Sequence, residues 1–553
     1  MAGQVPTEGR RAPPILPGGS VDLPHHDHGG QDLGPFTPEF KDHILSTLQE
    51  WHLPGLAIGV IDGENTWLEG FGHADLPTLT PVTPTTLFMG GSTTKAFTAT
   101  TLGLLLASPP PTAPRLSPPL SWKTPISALL PSSFVTSSPY ATSHLTLDDA
   151  VSHRTGLPRH DHASARSYPD GSGGRHAATP SDITRALRHF AFTEEPRTTF
   201  QYNNLMYVVL SECAEAVAGD GRSLGELMRE MIWAPLGMGE TFFGVEDLEA
   251  RGGGRRLATG YGWDVKEGGF KELEVDATPE LAGAGLVISC VEDYAKWVRC
   301  LLDGGEGVMS REVCEELRVP RMLEGGGQKA FDAPTGYACG WSVGSYKGHK
   351  FITHSGMMEA YGANIIFFPD DEYGVVALGN TAIEANAVSD LLLWRLIDDK
   401  FEVPQAKRFD WAKKWRDVQT FMAGKLEKPI DIIFPHRTPN PLPPSLPLEQ
   451  YVGRYFHPGY QNMVVELGAE TGTLKADRRD FTWQLTAEFK HVSGEFWVMC
   501  ARLAKAPNAI VFVDIAAVEF RVGINGKVES MSVEWRDTWG QGIEELVWYD
   551  RVD

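Results

Sequence analysis

Strand-forming segments lie at both ends of a long, largely helical stretch, and that arrangement restricts the folds open to this chain. GLAIGVIDG, beginning at Gly55, and NTWLEGFGHAD, beginning at Asn65, read as two strands joined by a turn. Three further runs of this kind, KFITHSG, ANIIFFPD and YGVVALGN, lie between Lys350 and Asn380. The chain between reads differently: STTKAFTATTLGLLLAS from Ser92, LTLDDAVSHRTGL before Pro158, YNNLMYVVLSECAEAVAG from Tyr202 and VEDYAKWVRCLLDGG from Val291 carry helical patterns. SPPPTAPRLSPPLSW cannot continue a helix, because proline has no amide hydrogen and its ring clashes with the preceding turn, so it reads as a loop. A sheet uniting N- and C-terminal strands, with helices packed on it, satisfies this order, and the fold class is α/β in the α+β sense.

The 553 residues exceed the usual size of one domain. Residues 1–36, rich in Pro, Gly and His without periodicity, read as a flexible arm. Residues 37–400 carry the α/β pattern and open with the amphipathic helix FKDHILSTLQEW. Residues 401–447 read as a linker holding a Lys/Arg-bearing helix and the proline cluster PHRTPNPLPPSLP. Residues 448–553 alternate polar and apolar with turns between, which predicts an antiparallel barrel or sandwich. Asn525-Gly526 within such a run marks a hairpin, since both residues tolerate positive φ.

Composition excludes some partners. A formal net charge of -22 repels nucleic acid and anionic membranes, so neither is expected. The six cysteines form no close CxxC pair, which fits a reducing compartment. The N-terminus lacks the apolar core of a secretory signal, and no run approaches the roughly 18 apolar residues of a membrane span. A cytoplasmic location is therefore expected, which disfavours a cell-wall or antibiotic-defence role. Whether the chain forms a homo-oligomer stays open. The cluster His25, His26, Asp27 and His28 lies in the arm, where nothing holds a metal's geometry, and no metal or other cofactor is expected.

Three short motifs carry chemistry. A serine hydroxyl is a weak nucleophile until a neighbour takes its proton. In Ser92-Thr93-Thr94-Lys95 the i, i+3 spacing puts the lysine amine on the serine's face of a helix. A serine at a helix start also has free backbone N–H groups beside it, suited to an oxyanion. Tyr202-Asn203-Asn204 begins another helix, with a phenol able to shuttle a proton and an amide in Asn204 able to hold a substrate carbonyl or the lysine. His354-Ser355-Gly356 ends a strand, where the glycine permits close backbone approach and the N–H of Met357 can serve as a second oxyanion donor.

In this order and at these separations the three motifs resemble the serine β-lactamase and penicillin-binding-protein superfamily, most closely its class C type and esterase and D-aminopeptidase relatives. PGLAIGVIDG, FGHAD and TPTTLFMGGSTTKAFTA look like the family's first strands and nucleophile helix. LDDAVSHRTGLPRHD, FQYNNLMYVVLSECAE, AGAGLVISCVEDYAKWVRCLLDGG and GYACGWSV look like its later elements. The resemblance spans about Phe40 to Asp399, and LEQYVGRYF opens a part similar to the lipocalin-like domain often appended to this family. It implies a sandwich of helices on an antiparallel sheet followed by an antiparallel β-barrel. It also implies Ser92 as acylated nucleophile, Lys95 as adjacent cation or base, and Tyr202 as proton shuttle. Asn204, His354, Ser355 and Gly356 would line the substrate site, with the N–H groups of Ser92 and Met357 as oxyanion hole. Whether Lys95 or Tyr202 removes the proton is not settled by sequence.

One departure narrows the chemistry. Strict β-lactamases carry lysine at the position of His354, whereas a histidine with an ordinary pKa is mostly neutral near pH 7. Met357, Met358 and Tyr361 make the adjoining segment apolar. The expected substrate is a small ester, lactone or amide with a hydrophobic portion, hydrolysed through an acyl-enzyme. An acyltransferase using the same residues is the nearest alternative, and a non-catalytic binding protein a more distant one. His153 and the histidines in GLPRHDHASARS just after it invite a metallo-hydrolase reading through His153, His160, Asp161 and His162, but further ligands are absent. A loop at the cleft rim is preferred there, with His160 or Asp161 reaching the substrate.

Overall fold

The computed structural model describes residues 34–553 apart from 171, 173, 326–328, 471, 512 and 537–542. Most of the expected arm, and the cluster His25, His26, Asp27 and His28, lie outside the described residues. The first helix, Pro38–Glu50, starts at Thr37, whose side chain accepts from the Phe40 N–H, and buries Phe40, Ile44 and Leu48. The next residues form the strands Gly55–Asp62 and Asn65–Asp75, paired antiparallel.

Among the described residues, nine strands form one sheet whose order runs from Met322–Leu323 through Gly336–Tyr337, Ser342–Tyr346, His349–Met358, Tyr361–Phe368 and Tyr373–Gly379 to Gly55–Asp62, Asn65–Asp75 and Thr80–Pro81. The N-terminal strand lies beside the last one, with Leu56 opposite Gly379 and Val60 opposite Val375. Tyr361–Phe368 and Tyr373–Gly379 are buried at every position, so both faces are covered. The helices Pro38–Glu50 and Ile383–Lys400 cover one face, and Val291–Leu302 lies on the other. The helices Thr94–Ala107 and Asn204–Ala218 pack together on that second side. This is the β-lactamase/transpeptidase arrangement that the sequence resembled.

The stretch 401–447 is docked at several points. Its helix Trp411–Glu427 packs on Ile383–Lys400, with the Trp394 and Trp411 rings stacked at 5.2 Å. Lys414 and the Trp415 indole N–H both reach the Asp390 carboxylate. The proline-rich segment then runs against the C-terminal part, where the Leu442 and Ser445 amides donate to the side chains of Ser493 and Glu495.

Eight strands from Gly453–His457 to Ile543–Arg551 follow one another around a closed antiparallel barrel, which the first and last close at Tyr455–Arg551 and Phe456–Asp550. Tyr455, Trp497 and Phe520 from the strands join Tyr451 from the turn before them in one interior ring cluster, and Trp535 and Tyr549 join Tyr460 in another. Asn525-Gly526 lies in the hairpin between Asp514–Val522 and Val528–Arg536, with Gly526 at φ 73° and the Asn525 side chain accepting from the Lys527 N–H. None of the described helices is long and apolar enough to cross a membrane. Because Trp411 is 5% exposed and stacked on Trp394, Trp411→Ala is expected to cost about 3 kcal/mol, read as a lowered denaturant midpoint.

Candidate active site

Ser92 occupies a 3-10 turn, Gly91–Thr93, that leads directly into the helix Thr94–Ala107. The turn is fixed from below: the Gly90 N–H donates to the Val287 carbonyl, and the Thr93 hydroxyl bonds the Gly90 carbonyl and the Tyr294 hydroxyl. It is pressed from above by the end of the strand His349–Met358. A Cβ at Gly356 would collide with the Gly90 carbonyl, and one at Gly91, whose φ is 52°, would lie 2.6 Å from the Met357 nitrogen. Only glycine fits either position, and the backbones of Ser92 and Met357 meet at the serine as a result. The Asn386 amide holds the strand there by donating to the Gly356 carbonyl.

Lys95, one turn on, is fully buried. Its Nζ lies 3.0 Å from Ser92 Oγ, 2.8 Å from Asn204 Oδ1 and 2.9 Å from the Ala284 carbonyl. Burial holds the amine well below the usual lysine range; the Arg159 charge adds to that, and Asp161 opposes it. A neutral amine has two N–H donors and one lone pair. The Asn204 and Ala284 oxygens only accept, so they take both donors, and the lone pair faces the serine hydroxyl. The Ala284 carbonyl is itself positioned, since Thr98 donates to the adjacent Gly283 carbonyl and the Val287 N–H donates to Thr94.

Tyr202 lies at the start of the other catalytic-side helix, Asn204–Ala218, which Asn203 caps by accepting from the Met206 N–H. The Asn203 amide nitrogens bond the Leu157 and Pro158 carbonyls and His153 Nδ1, so the turn is tied on both sides. Lys95 Nζ sits 4.9 Å from the Tyr202 ring centroid, and the phenol pairs with the Ser92 side chain. Burial nevertheless raises the phenol above its ordinary range, so Tyr202 carries its proton near pH 7. Asn204 uses both ends of its amide within the protein, accepting from Lys95 and donating to Asp161 Oδ1 at 2.9 Å. It holds the lysine.

His354 is buried, with Nδ1 2.6 Å from the Ser355 carbonyl and Nε2 2.9 Å from the Tyr337 hydroxyl. The carbonyl can only accept, so Nδ1 carries the proton and Nε2 accepts from the tyrosine. Burial and the nearby Lys95 push its pKa down to about 3. Ser355 stands exposed on the same strand, and Met357 is half-buried.

The histidine-rich segment divides in a way the sequence did not disclose. Asp161 and Arg159 join the site, with Arg159 Nε 2.8 Å from Asp161 Oδ2 and the guanidinium 5.0 Å from the Tyr202 ring. His160 does not line the rim as expected: it is fully buried against the C-terminal barrel, where Tyr460 and Glu545 bind its Nδ1. His153 accepts a backbone N–H behind Tyr202. No group of three or more metal-ligating side chains occurs among the described residues. Arg159, Tyr337 and the Ala284 carbonyl escaped sequence reading. For His354, the expected result is a neutral, Nδ1-protonated ring at every pH down to about 4, seen by nitrogen NMR of histidine-labelled protein.

Comparison with known proteins agrees with this geometry. The beta-lactamase family model matches residues 40–398, and a domain of unknown function, DUF3471, matches residues 437–543. The unguisins hydrolase ungD' of Aspergillus campestris is 36% identical over 94% of this chain and 92% of its own length. The unguisins hydrolase ungD of Aspergillus violaceofuscus is 34% identical over 94% and 91%. Among solved structures, the octameric penicillin-binding protein homologue from Pyrococcus abyssi superposes with a TM-score of 0.53 at 21% identity, covering 90% of this chain and 98% of that one. The D-amino acid amidase from Ochrobactrum anthropi gives 0.51 at 21% identity, over 66% of this chain and 99% of its own. A match over well more than half the chain, with relatives above 30% identity along nearly all of it, places this protein in the beta-lactamase family of serine hydrolases.

Proposed function

We propose that the protein cleaves an ester, lactone or amide through an acyl-Ser92 intermediate, on a small metabolite or peptide with a hydrophobic portion. The observation that carries this is Lys95 Nζ, buried 3.0 Å from Ser92 Oγ and held there by two further acceptors, Asn204 Oδ1 and the Ala284 carbonyl. Ser92 Oγ attacks the carbonyl carbon as its proton passes to Lys95 Nζ. The N–H groups of Ser92 and Met357 receive the oxyanion. Tyr202, protonated, delivers a proton to the leaving alkoxide or amine and is restored from the Lys95 ammonium. Water then attacks the acyl-enzyme, gives its proton to the same pair, and releases the acid and free Ser92.

The neutral, fully bonded His354 supports a substrate that brings no carboxylate to that wall. Met357, half-buried, and Met358 beyond it support an apolar acyl portion. Relatives matched along nearly their whole length are named hydrolases, which favours release to water over transfer to another acceptor, and unguisins are accordingly the first compounds to assay.

A fluorophosphonate probe is expected to label the wild type and not Ser92→Ala; an unlabelled, folded wild type would overturn the reading. Lys95→Met should lower kcat by about a thousandfold, within the range of general-base loss. Only the neutral amine accepts the proton, so kcat/KM rises with pH through the Lys95 pKa. Burial lowers that pKa, so the rise should be complete well below the roughly 10.4 of a free lysine. Nitrophenyl esters should turn over faster than a chromogenic lactam in a side-by-side assay. Added alcohol should leave the free acid as the main product; conversion chiefly to the alkyl ester would identify a transferase.

A further inference from the structure

The segment Arg159-His160-Asp161-His162 sits between two neighbours and alternates between them. Arg159 and Asp161 face the catalytic side: Arg159 Nε bonds Asp161 Oδ2, and Asp161 Oδ1 accepts from the Asn204 amide that holds Lys95. His160 and His162 face the barrel. His160 Nδ1 is 2.9 Å from the Tyr460 hydroxyl and 3.0 Å from Glu545 Oε2, its Nε2 is 3.2 Å from the Ala191 carbonyl, and its ring stacks on Phe190. The His162 ring stacks on Trp535 at 4.4 Å, and its Nε2 lies 3.3 Å from Asp514.

The backbone is clamped as well. The His162 carbonyl accepts from Arg478, a fully buried barrel residue whose guanidinium lies 3.6 Å over the Phe481 ring. Just beyond, Ala165 bridges Phe481 antiparallel, with Thr482 N–H bonded to the Ser164 carbonyl and Arg166 N–H to the Asp480 carbonyl. His160 has φ 50°, a left-handed conformation that a histidine keeps only when its surroundings over-determine it. Those surroundings are barrel residues, Phe190 and the Ala191 carbonyl.

We propose that the C-terminal barrel positions the catalytic lysine, with His160 and His162 as its handles and Asp161 and Asn204 as the link to Lys95. The barrel residues act through others and touch no reacting atom. Four steps separate Tyr460 and Glu545 from Lys95 Nζ: His160, its neighbour Asp161, Asn204 and the amine. A small displacement at the segment moves Asn204 Oδ1, and with it one of the two acceptors that turn the amine's lone pair toward Ser92. The inference rests on the acyl-serine reading above and gives that reading a role for the barrel.

The test uses the full chain with Tyr460→Phe and Glu545→Leu combined, changes close in side-chain volume that remove the two polar contacts to His160. The groups facing Lys95 are Ser92, Tyr202, Tyr207, Asn204, Arg159, Asp161, His153, His354 and the Ala284 carbonyl. Of the two charges, Arg159 acts on Lys95 more strongly than Asp161 does, so drawing the pair away raises the lysine pKa. A folded double variant should therefore lose about tenfold in kcat with KM nearly unchanged, and its acid limb should move to higher pH. Asp161→Asn, which removes only the negative charge, should move that limb the other way. In the Asp161→Asn background the barrel changes should cost much less than they do alone.

A folded double variant with wild-type kcat and acid limb overturns the proposal, as do kcat losses that simply add to those of Asp161→Asn. Should the double variant not fold, His160→Asn, which tolerates the left-handed backbone, carries the same expectations and the same overturning result. Retained activity in Ser92→Ala would instead sink the acyl-serine reading itself, so the two failures are told apart.

Discussion

An amine with no exposed surface must lose its charge or find one to balance it, and Lys95 sits where water cannot reach. Its nearest atoms are a serine hydroxyl, an amide oxygen and a carbonyl, none of them a full negative charge. The closest carboxylate, Asp161, is one residue removed behind Asn204 and paired with Arg159. The site is thus arranged for a neutral amine. Much of the surrounding structure follows from that requirement: the threonines of the nucleophile helix that fix the 283–287 backbone, and the capped turn at Asn203 that presents Asn204.

How much of this was legible in the sequence depends on whether a feature is local. The strands at both ends of the catalytic unit, the helices from Ser92 and Tyr202, and the Asn525-Gly526 hairpin follow from period and turn chemistry within a few residues. Ser92 and Lys95 were legible for the same reason, since one helical turn sets their separation. Asn204 was read as holding either a substrate or the lysine; its Oδ1 accepts from Lys95, and Asp161 behind it, which takes one of its two side-chain N–H groups, was not legible in the sequence. Tyr337 illustrates the limit. It lies on an adjoining part of the sheet, and nothing in GYACGWSV shows that its hydroxyl will occupy His354 Nε2.

The PRHDH segment failed for a related reason. Read as a surface loop, its histidines suggest a cleft rim or a metal; read with the barrel in place, alternate residues serve two domains. The division comes from the local backbone: His160 is left-handed at φ 50° and leads into the 3-10 turn Asp161–Ala163, which sends neighbouring side chains to different sides. Its polar residues would ordinarily argue against burial, and here each buried histidine is matched by a partner from the barrel.

Charge in the cleft completes the comparison with the lactamase pattern. On the strand wall the lysine of strict β-lactamases is replaced by a histidine that burial keeps neutral, with both ring nitrogens bonded inside the protein. Positive charge is found instead on the opposite wall, in Arg159, 5.0 Å from the Tyr202 ring and tied to Asp161. A cation there depresses the basicity of Lys95 and eases deprotonation of Tyr202, whereas a cation on the strand would attract a substrate carboxylate. The same formal charge therefore acts differently in the two places: on the strand it would attract a ligand's carboxylate, and beside Tyr202 it lowers the basicity of Lys95 and of the phenolate.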